Sequence, residues 1–447
     1  MPTDCNSQTL SFTPLGRRQL LAAFDGGTIT SDAGALLLRE VAGRSKLFER
    51  MAGCVPDPRE AAMIEHVQQT MLAQRVLGIA CGWEDLNDHH GLRVDPLMQV
   101  ASERDADQTR PLASPATLCR LENRVGRGVC VELSRLLVEL FIESFDSAPA
   151  ELVLDFDATD DPIHGAQEGR FFHGYYDGYC YLPLYVFCGE KLLVSYLRPS
   201  NIDAAKHSRA ILKLLVMRLR QVWPQVKIIV RGDSGFCRWK LMRWCDRRGV
   251  DYILGLARNK VLERMAEPFM QEAKRQYEQT KEKQRIFTSL DYAAGAWDRG
   301  RRVIHKAEHN SQGDNPRFVV TSLEGKPQTL YDEIYCARGE MENRIKEQQL
   351  GLFASRTSCH AFAANQFRLL LSSFAYTLIE RLRRVALAGT ELARAQATTI
   401  RSKLLKIGAV VITSVRRIVL RLSSAYPLKE LFTYAARRLL TPHVQLE

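Results

Sequence analysis

Three acids in this chain could do chemistry together. Asp233, in Val230-Arg231-Gly232-Asp233-Ser234-Gly235-Phe236, follows the apolar run Ile228-Ile229-Val230, so a buried strand delivers a carboxylate to its own C-terminal edge. Leu152-Val153-Leu154-Asp155-Phe156-Asp157 does the same 76 residues earlier, and Glu342 lies 109 residues later in Tyr335-Cys336-Ala337-Arg338-Gly339-Glu340-Met341-Glu342. Carboxylates gathered from two strand ends and a helix make an all-oxygen donor set. Such a set suits Mg²⁺ or Mn²⁺, whereas zinc prefers His and Cys. Alternation along a strand puts Asp155 and Asp157 on one face, so either could be the first ligand, with Asp157 nearer the strand end. The bland alternative is that these acids cap a strand and a turn.

The segment around Glu342 is more discriminating. At about 100° per residue, an α-helix brings Tyr335, Arg338, Glu342, Lys346 and Gln349 within roughly 80° of arc, while Glu340 and Glu347 point the other way. One face then carries a phenol, two cations, an amide and one carboxylate. A core-facing stripe would be apolar, so this face addresses solvent or a phosphate-rich ligand.

These elements need a scaffold. From Glu151 the pattern reads as strand Leu152–Asp157, a strand pair Tyr181–Cys188 and Lys191–Leu197 turned at Gly189-Glu190, and a long helix Asn201–Trp223 stopped by Pro224. Strand 227–232, a helix Arg238–Arg248 stopped by Gly249, and strand Tyr252–Ala257 follow. The order β-β-β-α-β-α-β, with acids ending the first and fourth strands, is that of a ribonuclease H-like α/β core. A charged helix (Lys260–Arg285) and strand-like runs at 301–306 and 317–323 then read as a β-rich insertion before the Glu342 helix.

Five segments result: a helical N-terminal region (1–148) expected to bind DNA, the first part of the core (149–257), the insertion (258–327), the core completion (328–375) and a basic helical C-terminal region (376–447). In the first, Asp57–Leu72 and Val129–Phe145 have helical spacing. Ser114-Pro115 is a helix start, and Arg120, Arg124 and Arg127 follow it. His89-His90 reads as loop.

At 447 residues, 46% hydrophobic and 25% charged, the chain has ample material for several globular units. No apolar stretch reaches the roughly 18 residues of a membrane span, and the run after Arg17-Arg18 is too short for a secretory signal, so a cytoplasmic protein is expected. The 11 cysteines show no C-x-x-C pair, against zinc fingers and a disulfide framework. His164 and His173, beside Asp160, Asp161 and Glu168, match no familiar metal-ligand spacing. The net charge of +11 is lopsided: Phe353–Glu447 holds 15 Lys+Arg against 4 Asp+Glu, leaving the rest balanced. A basic tail, including Arg381-Leu382-Arg383-Arg384 and Arg416-Arg417, suits a polyanion or a solvated helix face.

At this level of detail the motifs resemble a known family. Tyr335-x2-Arg338-x3-Glu342 is similar to the tyrosine–arginine–glutamate signature of bacterial insertion-sequence DDE transposases. Asp157-Ala158-Thr159 resembles their first-aspartate motif and Gly232-Asp233-Ser234-Gly235-Phe236 their second. The wording around Asp157–Gly165 and Tyr335–Glu347 resembles the insertion sequence 1380 family, related to the insertion sequence 4 clan. Phe24-Asp25-Gly26-Gly27 and Leu404–Ala409 look similar as well, so the resemblance spans nearly the whole chain. One position departs: where relatives place a lysine seven residues beyond the glutamate, this chain has Gln349, and Lys346 is the substitute on the same face.

The resemblance implies metal-dependent cleavage and joining of DNA, with Asp157, Asp233 and Glu342 holding two Mg²⁺ ions. It also implies Tyr335, Arg338 and Lys346 on DNA, terminal inverted repeats and target duplex as partners, and a homodimer in the synaptic complex. A hairpin intermediate would have an insertion aromatic under a flipped base. Trp297 is the candidate, against its simpler role in the insertion's core. Alternatives are a metal nuclease that does not join strands, and a non-catalytic DNA-binding descendant of a transposase.

Overall fold

The computed structural model describes residues 9–441, which divide into two compact units. The larger comprises 126–350 and 354–373 and contains the three acids; the smaller comprises the N-terminal residues to 125, 351–353 and 374 onward. Among the described residues no helix is long and apolar enough to cross a membrane.

The larger unit is mixed α/β, built on one nine-stranded mixed sheet. At its centre Glu151–Ala158, Lys227–Gly232 and Asp251–Leu256 run parallel. Leu184–Cys188 and Lys191–Tyr196 meander antiparallel on one side. Their turn works because Gly189 takes φ +58°, a left-handed angle that costs glycine little. The strands are buried on both faces, as crossover helices require, and read as near-continuous apolar runs. Leu152, Leu154, Ile228, Val230 and Leu254 lose almost all contact with water, each contributing about 1.5–3 kcal/mol of transfer free energy. Within the large sheet the strands and helices through 257 follow the expected order, but three short unexpected strands, Asp161–Pro162, Phe171–His173 and Gly178–Tyr181, intervene and form a separate sheet.

Several boundaries differ from the sequence reading. The helix expected over 201–223 is Ser208–Val222; before it, Asp203 folds back to accept from Ala205 N at 2.9 Å, and His207 adopts φ 71°. The charged helix ends at Thr280, because Gln284–Tyr292, including Arg285, is a strand. That strand, Arg301–Asn310 and Arg317–Thr321 do not form a separate sheet. Arg317–Thr321 pairs antiparallel with Asp251–Leu256, so the inserted strands extend the central sheet.

The smaller unit corrects the expectation of a mostly helical N-terminal region and a helical C-terminal one. Leu10–Leu15 and Arg18–Ala22 form a hairpin, and the helix expected from Asp57 begins only at Gln68. At the other end, Ala409–Ser414 and Arg417–Leu422 are a second hairpin rather than a basic helix, and Ala409 pairs with Thr30. Runs of β-branched residues (Val410, Val411, Ile412, Ile418, Val419) explain the strands in retrospect. The two motifs near the chain ends thus belong to one assembly. Gly34 packs so closely on Leu404 that a Cβ would lie 2.0 Å from its carbonyl oxygen, which only glycine permits.

The Ser114 start is present: its hydroxyl accepts from Thr117 N, with Pro115 at the first helical position. His89 is no loop residue. It opens the short helix His89–Leu92 and is fully buried, receiving Arg75 Nη1 at 3.0 Å; Arg75 in turn pairs with buried Glu122 at 2.8 Å. Burial, reinforced by Arg75, pushes its imidazole down to about 3. The unfolded chain, with an ordinary His near 6.5, therefore binds the extra proton between those values. Stability should be flat above about pH 7 and fall with acid, by about 2 kcal/mol at pH 5. Melting curves at pH 7 and 5 check this, and His89→Gln should flatten the difference. Equal acid loss in that variant would dismiss the assignment.

Candidate active site

Asp157 and Asp233 end neighbouring parallel strands. The two strands run in register, Lys227 opposite Glu151 through Gly232 opposite Phe156, so both acids emerge at the same sheet edge. Asp233 caps the 3₁₀ turn Ser234–Phe236, its Oδ1 accepting from Gly235 N at 2.8 Å. Next to it, Gly255 leaves room for a close approach: a Cβ there would sit 2.6 Å from the Tyr335 hydroxyl and 2.8 Å from Ser234 N. A glycine inside the strand run Ile253-Leu254-Gly255-Leu256 is the usual sign of such an approach.

The segment carrying Tyr335, Arg338 and Glu342 is not one regular helix. It passes from a π-helical turn (Leu330–Tyr335) through a 3₁₀ turn (Cys336–Arg338) to an α-helix (Gly339–Lys346) and a second π-helical turn (Glu347–Gly351). The regular 100° arithmetic therefore drifts across the segment. Arg338 nevertheless joins the two chain-distant acids, its Nη1 donating to Asp157 Oδ2 at 3.2 Å and its Nη2 to Glu342 Oε1 at 2.6 Å. Lys346 is exposed on the α-helix, and Gln349 donates to the Asp160 carbonyl at 2.9 Å. The family's lysine position thus ties the helix to the loop after Asp157.

Electrostatics follow from this crowding. Burial pushes the Asp157 carboxyl up to about 6; Arg338 opposes the rise, and the charges of Asp233 and Glu342 add to it. Burial also raises the Tyr335 phenol, again with Arg338 opposing and Asp233 adding. These carboxylates are close enough to repel one another, and Arg338 is the cation that relieves them.

A partner on the next strand distinguishes Asp155 from Asp157. Arg231 lies opposite Asp155 in register and grips both its oxygens, with Nη2 to Oδ2 at 2.7 Å and Nε to Oδ1. Arg231 Nη1 also donates to the Ile334 carbonyl, at the last turn before Tyr335. Asp155 is therefore neutralised internally, and Asp157 is the acid presented at the edge. Sequence reasoning missed Arg231 and Gly255. The signal for Arg231 was available: a cation inside a buried strand demands a partner, and a buried acid stood on another such strand.

Other candidates are placed elsewhere. Trp297 is half-buried, packs edge-on against Tyr292 at 5.4 Å and lies under Arg301. Arg124 is occupied by Gln68 and lies 3.8 Å from Asp57, while Arg120 is exposed. His173 packs against Tyr176, the rings tilted at 46° with centroids 4.9 Å apart. Arg416 and Arg417 stand exposed at the tip of the C-terminal hairpin.

Among the described residues, no three His, Cys, Asp or Glu side chains already stand at metal-holding spacing. The donor chemistry of Asp157, Asp233 and Glu342 fits hard divalent cations, since all are carboxylates and Glu342 is 45% exposed. Holding an ion between Asp157 and Glu342 requires Arg338 to give up one of them.

Two strand-end aspartates of the mixed sheet thus stand beside the irregular helical segment that carries Tyr335, Arg338 and Glu342. The chain belongs to the transposase DDE domain group 1 family, which it matches over residues 12–443. No curated protein is matched. Among solved structures, a piggyBac transposase synaptic complex with hairpin DNA, determined by cryo-electron microscopy, is similar at 11% identity. That match covers 93% of this chain and 83% of the other, with a TM-score of 0.44.

Proposed function

We propose that this protein is the DNA transposase of a bacterial insertion sequence, of the insertion sequence 1380 type. It works in the cytoplasm as a dimer that pairs two element ends, cleaves at the terminal inverted repeats and joins the freed 3′-hydroxyl to target DNA. The observation that carries this is the meeting of Asp157, Asp233 and Glu342 around Arg338, in a chain matched almost end to end by a transposase family. The three parallel strands flanked by a meander support a ribonuclease H-like core.

Asp157, Asp233 and Glu342 would hold divalent cations, Mg²⁺ or Mn²⁺, which would supply Lewis-acid activation of an attacking oxygen and charge stabilisation of the leaving one. The chain's own groups do the rest. Arg338 turns from the carboxylates to a phosphate, giving a forked pair of donors to its oxygens. Tyr335, held against Gly255, offers its hydroxyl to a neighbouring phosphate, and exposed Lys346 contacts the backbone further along. The N-terminal region recognises the repeats, and the basic C-terminal tail adds phosphate contacts whose strength should fall steeply with salt.

The test uses a duplex carrying an element end, with and without Mg²⁺, then with target DNA. Strand cleavage should require the ion, stop on chelation, and yield target-joined product. Cleavage with no joined product would make the protein a nuclease. End binding with no metal-dependent cleavage would make it a non-catalytic DNA-binding protein.

A further inference from the structure

Between Asp157 and the second core strand the chain makes a small three-stranded sheet of Asp161–Pro162, Phe171–His173 and Gly178–Tyr181, which the proposed chemistry does not use. Aromatic residues crowd it. Phe172 and Tyr179 face each other across the strands, rings 5.8 Å apart, and are 54% and 50% exposed; Tyr175 at the turn is 85% exposed. The guanidinium carbon of exposed Arg170 lies over the Tyr179 ring, 5.0 Å from its centroid. Side chains this apolar are costly to leave in water, and their clustering marks a contact surface.

The cluster is built rather than loose. The Tyr181 hydroxyl donates to the Glu168 carbonyl at 2.6 Å, and Ser200 Oγ donates to the Phe171 carbonyl at 2.9 Å. Its root is the acidic centre. Only three residues separate Asp157 from Asp161, a span of about 13 Å in extended chain. Gln349, seven residues past Glu342, holds the intervening Asp160 carbonyl. Tyr176 ties in from the hairpin turn, packing edge-on to Tyr175 at 4.9 Å; its phenol is pushed up to about 12 by burial, then by Asp160, Tyr175 and Asp157.

We propose that Phe172, Tyr175 and Tyr179, with Arg170, form a stacking platform for unpaired nucleotides beside the cleavage centre. This rests on the transposase reading above and adds a binding subsite to it. Exposed π-faces accept any base, and a guanidinium held on one of them offers a backbone phosphate its charge. A strand break leaves frayed nucleotides near Asp157, and these faces belong to the segment that follows Asp157 directly in the chain. Stretch 164–180 holds one Arg against one Glu and one Asp, so stacking rather than net charge does the holding.

The experiment compares the full chain on a blunt duplex and on the same duplex with a single-stranded extension containing 2-aminopurine. The parent should bind the extended DNA about tenfold more tightly and quench the probe. Tyr175→Ala combined with Phe172→Ala should abolish both the preference and the quenching, leaving blunt-duplex affinity and the salt slope unchanged. Tyr175→Phe should retain them, since it keeps the ring and the fold. The platform is overturned if the Ala variant keeps the preference, or loses both DNAs equally. It is also overturned if the variant keeps the preference while sedimentation shows lost self-association, which would assign the surface to a second copy of the chain. Metal-dependent cleavage of the blunt duplex by the parent tests the transposase reading separately, so failure of one leaves the other standing.

Discussion

Asp233→Asn should cut metal-dependent strand cleavage at least about 1000-fold while leaving the fold and DNA affinity near parental values. The size follows from losing several kcal/mol of charge stabilisation at the reacting phosphate. The isolation of that effect follows from local geometry. Asp233 Oδ1 caps the turn through Gly235 N, and an asparagine oxygen can accept the same bond, so stability changes by only a fraction of a kcal/mol. Glu342→Gln should be equally inactive, though it also weakens the grip on Arg338. Single-turnover cleavage in Mg²⁺, beside a binding titration without metal, measures the two quantities apart. A variant at either position that cleaves like the parent would remove that acid from the centre.

Arg231→Met has the largest expected effect on stability. Asp155 and Arg231 are 1% and 7% exposed and pair in bidentate fashion across two central strands. Removing the cation strands a buried carboxylate, which costs about 3–5 kcal/mol. Adding Asp155→Leu should recover most of that, because the orphaned charge is then gone. The double variant should still cleave poorly. Without Arg231 the Ile334 carbonyl loses its donor, and the irregular turn that aims Tyr335 and Arg338 loses its anchor to the sheet. Urea unfolding of the single and double variants, followed by cleavage assays, separates the two roles. A single variant within about 1 kcal/mol of the parent would show that the pair is no structural anchor.

Much of the centre was legible in the one-dimensional pattern because its parts sit where local rules are strong. An apolar run ending in an acid predicts a strand edge, and this holds at Asp157 and Asp233. Glu342 and Arg338 at i, i+4 spacing are neighbours on a helix whatever its partners, and they pair here. The turns at Gly189 and Gly249 were visible for the same reason: their positive φ values, both 58°, are ones glycine adopts without strain.

What tertiary structure alone decided is the choice among residues that look alike in sequence. Asp155 and Asp157 share a strand face, and only the register with Arg231 shows which one is neutralised. The Tyr335–Gln349 face was drawn on a regular helix; backbone anchoring through Ile334 and packing against Gly255 break it into π, 3₁₀ and α turns. The C-terminal hairpin reads as basic helix until Ala409 finds Thr30, a partner far away in the chain. Local propensity and periodicity act over a turn or a strand, so the sequence by itself determined the acids, their edges and their spacing. Charge pairing and strand register act between distant segments, and those decided which acid is neutralised inside the sheet and which cation stands between the others.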